Sequence, residues 1–234
     1  ADARWTKKRK QEIVDSRVQS CQLIVKALET NDNKVQSIIS ASAIGWYGAD
    51  TATSLRDGFV ETAAADTEFL GETCSLWESS IQPVLALNKR LVQLRIGIVL
   101  SNNGGALLEF KKPIKAGVAA ILGSGQQIIS WIHINDLCNL ILFGIENESM
   151  HGIYNAVAPE TITNKALTLA LAKKMRGQFF IPVHVPAIIL KWMLGEMSIE
   201  VLKSATVNSF KTQSTGFHYH YPTISLALNE LCEK

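Results

Sequence analysis

Ser40, Ser42 and Tyr47 lie within nine residues, Ser-Ala-Ser-Ala-Ile-Gly-Trp-Tyr-Gly at 40–48, which close an apolar run containing Val35, Ile38 and Ile39. A β-branched run that ends in small hydroxylated residues and glycine reads as a buried strand emptying into a crevice. Ligands of open parallel α/β sheets bind just outside such strand ends. A serine placed there can hydrogen-bond a reacting oxygen, and a tyrosine of lowered pKa can carry a proton. The same residues also suit a strand that simply ends in a turn, with Tyr47 a half-buried aromatic over it. On spacing alone the plain turn ranks slightly ahead.

Other chemistries find less support. A serine nucleophile needs a histidine base, and spacing does not show whether His133 or His184 lies near Ser42. His133, between Ile132 and Ile134, reads as a core histidine. Gly123-Ser-Gly125 lacks the third glycine of a dinucleotide fingerprint and leads into a strand, and no phosphate-loop pattern occurs. His218 and His220 could share one side of a strand, but no cysteine or carboxylate cluster accompanies them. Two exposed histidines on an edge strand are expected, and no metal.

The 234 residues, 47% hydrophobic and 19% charged, describe one large soluble domain or a domain with a smaller appendage. A net charge of +2 implies no polyanionic partner. Lys7-Lys8-Arg9-Lys10 opens a helical pattern and reads as a solvated face, so no nucleic acid is expected. The longest uncharged run, between Lys115 and Asp136, is broken by glycines and polar residues, and no membrane partner is expected. Cys21, Cys74, Cys138 and Cys232 are scattered singly, which suits reduced thiols; with a charged start lacking a signal-peptide core, a cytoplasmic location follows.

Hydrophobic spacing predicts helices over 6–29, from about 68 towards 87, from about 105 to 116, over 137–145 with Asn135 or Asp136 as N-cap, over 164–175, 187–194 and 223–232. Strands are predicted at 35–40, 91–100, 128–134 and 152–158. Residues 49–67 read as a polar loop. Strands alternating with helices argue for an α/β fold with a parallel sheet. Gly97, inside a strand, marks a close approach by a ligand or by another backbone. The character changes at about 178, so residues 1–177 are expected to form the main domain, with part of 104–127 joining the substrate side, and 178–234 a smaller substrate-binding subdomain.

The 40–48 segment resembles the S-x-S-A-x-G-x-Y-G segment of sugar-nucleotide-epimerase-like proteins in the extended, atypical branch of the short-chain dehydrogenase/reductase superfamily. Matches follow in the same order: Cys74 with Trp77-Glu78, Leu94-Arg-Ile-Gly-Ile-Val-Leu100, Ser130-Trp-Ile-His-Ile134, Tyr154-Asn-Ala-Val-Ala-Pro159 and Leu194-Gly-Glu-Met-Ser198. The resemblance implies a Rossmann-type domain binding NADP(H), with a smaller carboxy-terminal domain over the substrate crevice. It places Ser42 on the reacting oxygen with Tyr47 as substitute proton donor. It puts Ser40, Ala41 and the backbone around Arg95, Gly97 and Ile98 at the cofactor, and Trp131 and His133 on the substrate side. Against the superfamily pattern the chain begins after the glycine-rich first turn, so the sheet is expected to show an unpaired edge.

The superfamily's Tyr-x-x-x-Lys pair is also missing: Leu70 and Cys74 stand at its positions. No tyrosine occurs between Gly48 and Ile153, and no lysine between Val35 and Asn88. Two functions are therefore carried forward. One is an NADP(H)-dependent oxidoreductase or epimerase acting on a sugar-nucleotide-like or other hydroxyl/carbonyl small molecule. The other is a nucleotide-binding protein without hydride transfer.

Overall fold

The computed structural model describes residues 4–233. Helix α1 (Lys7–Thr30), with Thr6 as its N-cap, is followed by strand β1 (Ser37–Ala43) and a 3₁₀ turn over Ile44–Tyr47. A short helix α2 (Ala52–Asp57) sits in the expected loop, started by a capping box between Thr51 and Ser54. Helix α3 (Phe69–Ile81) stops short of 87 because Pro83 tightens the next residues into a 3₁₀ turn. Strand β2 (Arg90–Ile96) breaks at Gly97 and resumes as β3 (Ile98–Leu100).

Next come α4 (Ala106–Lys115), β4 (Val118–Leu122), β5 (Ile128–Ile129), β6 (Trp131–His133) and α5 (Ile134–Glu146). They are followed by β7 (Gly152–Ala156), β8 (Ile162–Thr163), α6 (Asn164–Arg176), β9 (Ile181–Val185), α7 (Ala187–Leu194), α8 (Met197–Leu202), α9 (Phe210–Ser214) and α10 (Ile224–Cys232).

The main sheet is parallel, in the order β1-β2-β7. Leu91 of β2 and Ile38 of β1 pack on one face against Cys21, Val25 and Ile81 of α1 and α3. Val92 and Leu94 pack on the other against Leu137 and Leu140 of α5. This two-sided burial is why β2 reads as an almost unbroken apolar run. Among the described residues β1 pairs on one side only, leaving the open edge expected from the sequence.

A second core joins Leu107, Ile114, Ala119, Leu167 and Leu171 to Ile224 and Leu228. Strand β9, hidden in the sequence by Pro182, pairs in parallel with β4. Residues of α4, β4, α6 and α10 thus share one core. His218 and His220 are exposed as expected, but lie in an irregular segment and not on a strand.

Candidate functional site: a polar row across three strands

Register aligns Ser42 of β1 with Arg95 of β2, and Arg95 with Asn155 of β7. All three are buried. Period-two alternation turns Ser40 and Ser42, like Gln93 and Arg95, towards α3. On that helix Gly71, Cys74, Glu78 and Ile81 form the buried face, and Glu78 descends from it onto the row.

A guanidinium in the middle of a buried strand needs a counter-charge and filled donors. Arg95 Nε donates to Glu78 Oε1 at 2.8 Å and Nη2 to Oε2 at 2.9 Å, a two-point pair. Its Nη1 donates to Tyr47 Oη and to the Glu61 carbonyl, both at 3.1 Å. The Trp46 ring stacks on it, 3.7 Å from Cζ to the ring centroid. Burial works against the Arg95 charge, but Glu78 and Tyr47 outweigh it and Arg95 holds its proton more tightly than a free guanidinium.

The row closes at both ends. Ser42 Oγ donates to Glu78 Oε1 at 2.7 Å. Tyr47 Oη donates to Asn155 Oδ1 at 2.5 Å, and Asn155 Nδ2 donates to the carbonyls of Phe59 and Asn208. The Phe59 ring stacks on Tyr47, with 5.1 Å between centroids. Gly48 lets the chain leave this cluster: its φ of 72° favours glycine, and a Cβ there would lie 2.6 Å from Asp66.

Several expectations change on this geometry. Tyr47 is not acidified: burial, only partly opposed by Arg95, pushes its pKa up to about 12. Ser42 points its hydroxyl into the polar row, not into an open crevice. The Arg95 side chain is committed to Glu78. Gly97 answers to protein: a Cβ there would sit 2.7 Å from the Ser130 carbonyl oxygen and 2.8 Å from Val157 Cγ1.

Trp131 and His133, expected on the substrate side, are fully buried. Trp131 belongs to the second core. His133 is the N-cap of α5, in place of Asn135 or Asp136: its Nδ1 accepts from the Asn135 amide, its Nε2 contacts Glu230 at 2.9 Å, and its ring stacks on Tyr221. Both side chains therefore hold α10 and the following core in place, and neither faces an opening. Asp136 accepts instead from the amides of His220 and Tyr221.

Ala41 and Ile98 are exposed, while Ser40 is buried. Leu70 and Cys74 both face the exit of β1. A Cβ on Gly45 would be 3.1 Å from Leu70 Cβ and 3.7 Å from Cys74 Sγ. The Cys74 thiol donates to the Ala43 carbonyl at 3.6 Å, and burial, with Glu78 nearby, pushes its pKa up to about 11. Glu78 and Asn155 appear in the sequence only as parts of family-like segments. The signal for Glu78 was available: an arginine inside an apolar strand demands an acid, and Glu78 lies on the apolar face of a neighbouring helix.

The parallel sheet flanked by helices is a Rossmann-like fold, and comparison with known proteins gives it a family. Over 231 residues the chain is 37% identical to Epimerase family protein SAR0825 of Staphylococcus aureus, covering 99% of this chain and 75% of that protein. It is 33% identical to Epimerase family protein YfhF of Bacillus subtilis, covering 97% of this chain and 73% of the relative. The chain belongs to this epimerase family, the atypical short-chain dehydrogenase/reductase group indicated by residues 40–48.

A domain of unknown function, DUF1731, matches residues 185–231. Among solved structures, human epimerase family protein SDR39U1 with NADPH superposes with a TM-score of 0.89 at 26% identity, covering 99% of this chain and 77% of that one. A nucleoside-diphosphate sugar epimerase from Corynebacterium glutamicum shares the fold, with a TM-score of 0.76 at 24% identity over 99% of this chain and 45% of that one.

Proposed function

We propose that the protein binds a nicotinamide dinucleotide, NADP(H), across the ends of β1 and β2, and that it does so without the tyrosine route to hydride transfer. One observation carries this reading: the Ser42 and Tyr47 hydroxyls of the 40–48 segment are both spent inside the protein. Ser42 donates its hydroxyl hydrogen bond to Glu78, and Tyr47 donates to Asn155 while accepting from Arg95. Leu70 and Cys74 fill the positions of the superfamily pair, one without a proton to move and the other with its thiol held at about 11.

For the dinucleotide the end of β1 offers small side chains: Ala41 is exposed, and Ala43 and Gly45 are half-buried. A bound nicotinamide would supply hydride exchange. The role of this chain's residues there is to hold backbone and exclude water, with the polar row fixing the two strand ends against each other. The NADPH-bound human relative supports the choice of cofactor. Free cysteines at all four positions support a reducing, cytoplasmic setting.

A second reading, an oxidoreductase or epimerase acting on a sugar-nucleotide-like or other hydroxyl/carbonyl substrate, is favoured by the names of the 33–37% identical relatives. In it Ser42, its proton committed to Glu78, would offer only lone pairs and would accept from a substrate hydroxyl. Titrating NADPH fluorescence against the full chain, then incubating the complex with a panel of carbonyl compounds and sugar nucleotides, separates the two. Saturable binding with no NADPH oxidation and no sugar interconversion is expected. Turnover of any panel member moves the assignment to the second reading, and absence of binding removes both.

A further inference from the structure

Strand β9 and helix α7 carry a run of apolar side chains turned to solvent. Phe179 is 83% exposed, Ile181 68%, Ile188 76% and Trp192 77%, with Val183, Ile189 and Met193 also exposed. Ile188 and Trp192, four residues apart, share one side of α7, as do Ile189 and Met193. Exposed apolar side chains gathered on two consecutive elements in this way mark an interaction site.

The charges around it are mostly basic, with Glu196, just past the end of α7, paired to Lys10. Residues 110–135 and 161–195 contain eight of the 23 Lys and Arg residues and none of the 21 Asp and Glu residues, so the rest of the chain is net acidic. Arg176 donates from Nε to the Phe179 carbonyl and from Nη1 to the Lys115 carbonyl, which sets Arg176 and Lys115 at one end of the strip. Lys191 lies on α7 itself. At the other end Arg4 donates to the carbonyls of Trp192 and Met193, and Lys7 and Lys8 follow it, exposed, on α1. Lys10 and Lys112 are already paired, with Glu196 and Glu109.

We infer that the β9–α7 strip is a docking surface for an anionic lipid bilayer, entered by Ile188, Trp192 and their apolar neighbours and held by the basic residues at both ends. Apolar and tryptophan side chains beside lysine and arginine are the composition of interfacial segments that lie on a membrane. Among the described residues no helix is long and apolar enough to cross one, so contact with the surface is what the geometry allows. This goes beyond the sequence expectation of no membrane partner, which weighed only a spanning segment.

Edge pairing with a second copy is disfavoured by β9 itself. Ile181 and Val185 bond across to Gly117 and Gly123, so the backbone of Pro182 faces the free edge, where proline has no N–H to give.

The test is sedimentation of the full chain with vesicles of phosphatidylcholine alone and of phosphatidylcholine mixed with phosphatidylglycerol. The expected result is co-sedimentation with the mixed vesicles only, weakened by salt. Ile188→Glu with Trp192→Glu should abolish it, and Lys191→Gln should weaken it about fivefold, as one lost surface charge predicts. The replaced side chains are exposed, and circular dichroism verifies that the variants fold. Failure to sediment with anionic vesicles, or equal sedimentation of the double variant, overturns the inference. So does a concentration-dependent dimer in ultracentrifugation that the double variant dissolves while lipid binding is absent, which would assign the strip to a second copy.

Discussion

Arg95 and Glu78 meet by two hydrogen bonds of 2.8 and 2.9 Å between a central strand and the helix packed over it, with both side chains buried. Ser42 and Tyr47 hang from the two ends of this pair, so the pair decides what those hydroxyls can do.

Removing one charge strands the other. Glu78→Gln or Arg95→Met should destabilise the fold by about 3–5 kcal/mol, since an uncompensated buried charge or its unfilled donors remain. Replacing both, as Glu78→Leu with Arg95→Met, should recover much of that loss. Urea unfolding of the three variants measures it; strictly additive losses would show that the two side chains act independently.

Tyr47 ties stability to alkaline pH. Its folded-state pKa, about 12, lies above the ordinary 10.0 because burial disfavours the phenolate. Between these values the unfolded chain releases the proton and the folded one keeps it, so the contribution is whole below pH 10 and is lost as pH rises towards 12. Two units correspond to about 3 kcal/mol. Tyr47→Phe should show a flatter decline over this window in denaturation curves, and an unchanged slope would contradict the raised value.

Thiol reactivity should separate the cysteines by burial. Cys138 is exposed, while Cys21 and Cys74 are buried. At mildly alkaline pH a disulfide reagent should label Cys138 rapidly and reach Cys74 only on unfolding, because its thiol is held at about 11. Rapid labelling of Cys74 in the folded protein would mean that the exit of β1 is open.

Gly97→Ala tests the close approach of two strands. The added methyl would press on the Ser130 carbonyl at 2.7 Å and on Val157. A cost of about 1–3 kcal/mol is expected, seen as a Tm lower by roughly 2–4 °C for each kcal/mol in a chain of this size. No change in Tm would mean that β3 and β6 separate freely.

Local pattern carried most of the elements. Helical spacing located α1, α4, α6, α7 and α10 to within a residue or two, because each buries one face at a regular period. β9 was missed because Pro182 reads as a breaker, although at a free edge the missing N–H costs nothing. The N-cap of α5 was placed at Asn135 or Asp136 by propensity. His133 takes that role and Asp136 is drawn off by the amides of His220 and Tyr221, partners more than 80 residues distant.

The sequence by itself determined the α/β class, the parallel sheet and the family, since periodicity and ordered motifs are local properties of the chain. It also picked out residues 40–48 as chemically special. What Ser42 and Tyr47 touch was decided by tertiary structure alone. Strand register sets Ser42, Arg95 and Asn155 side by side, and the packing of α3 brings Glu78 onto them. Their environments, and hence the proton affinity of Tyr47, come from residues 17 to 108 positions apart in the chain. Burial and register act through space, and no reading along the chain contains them.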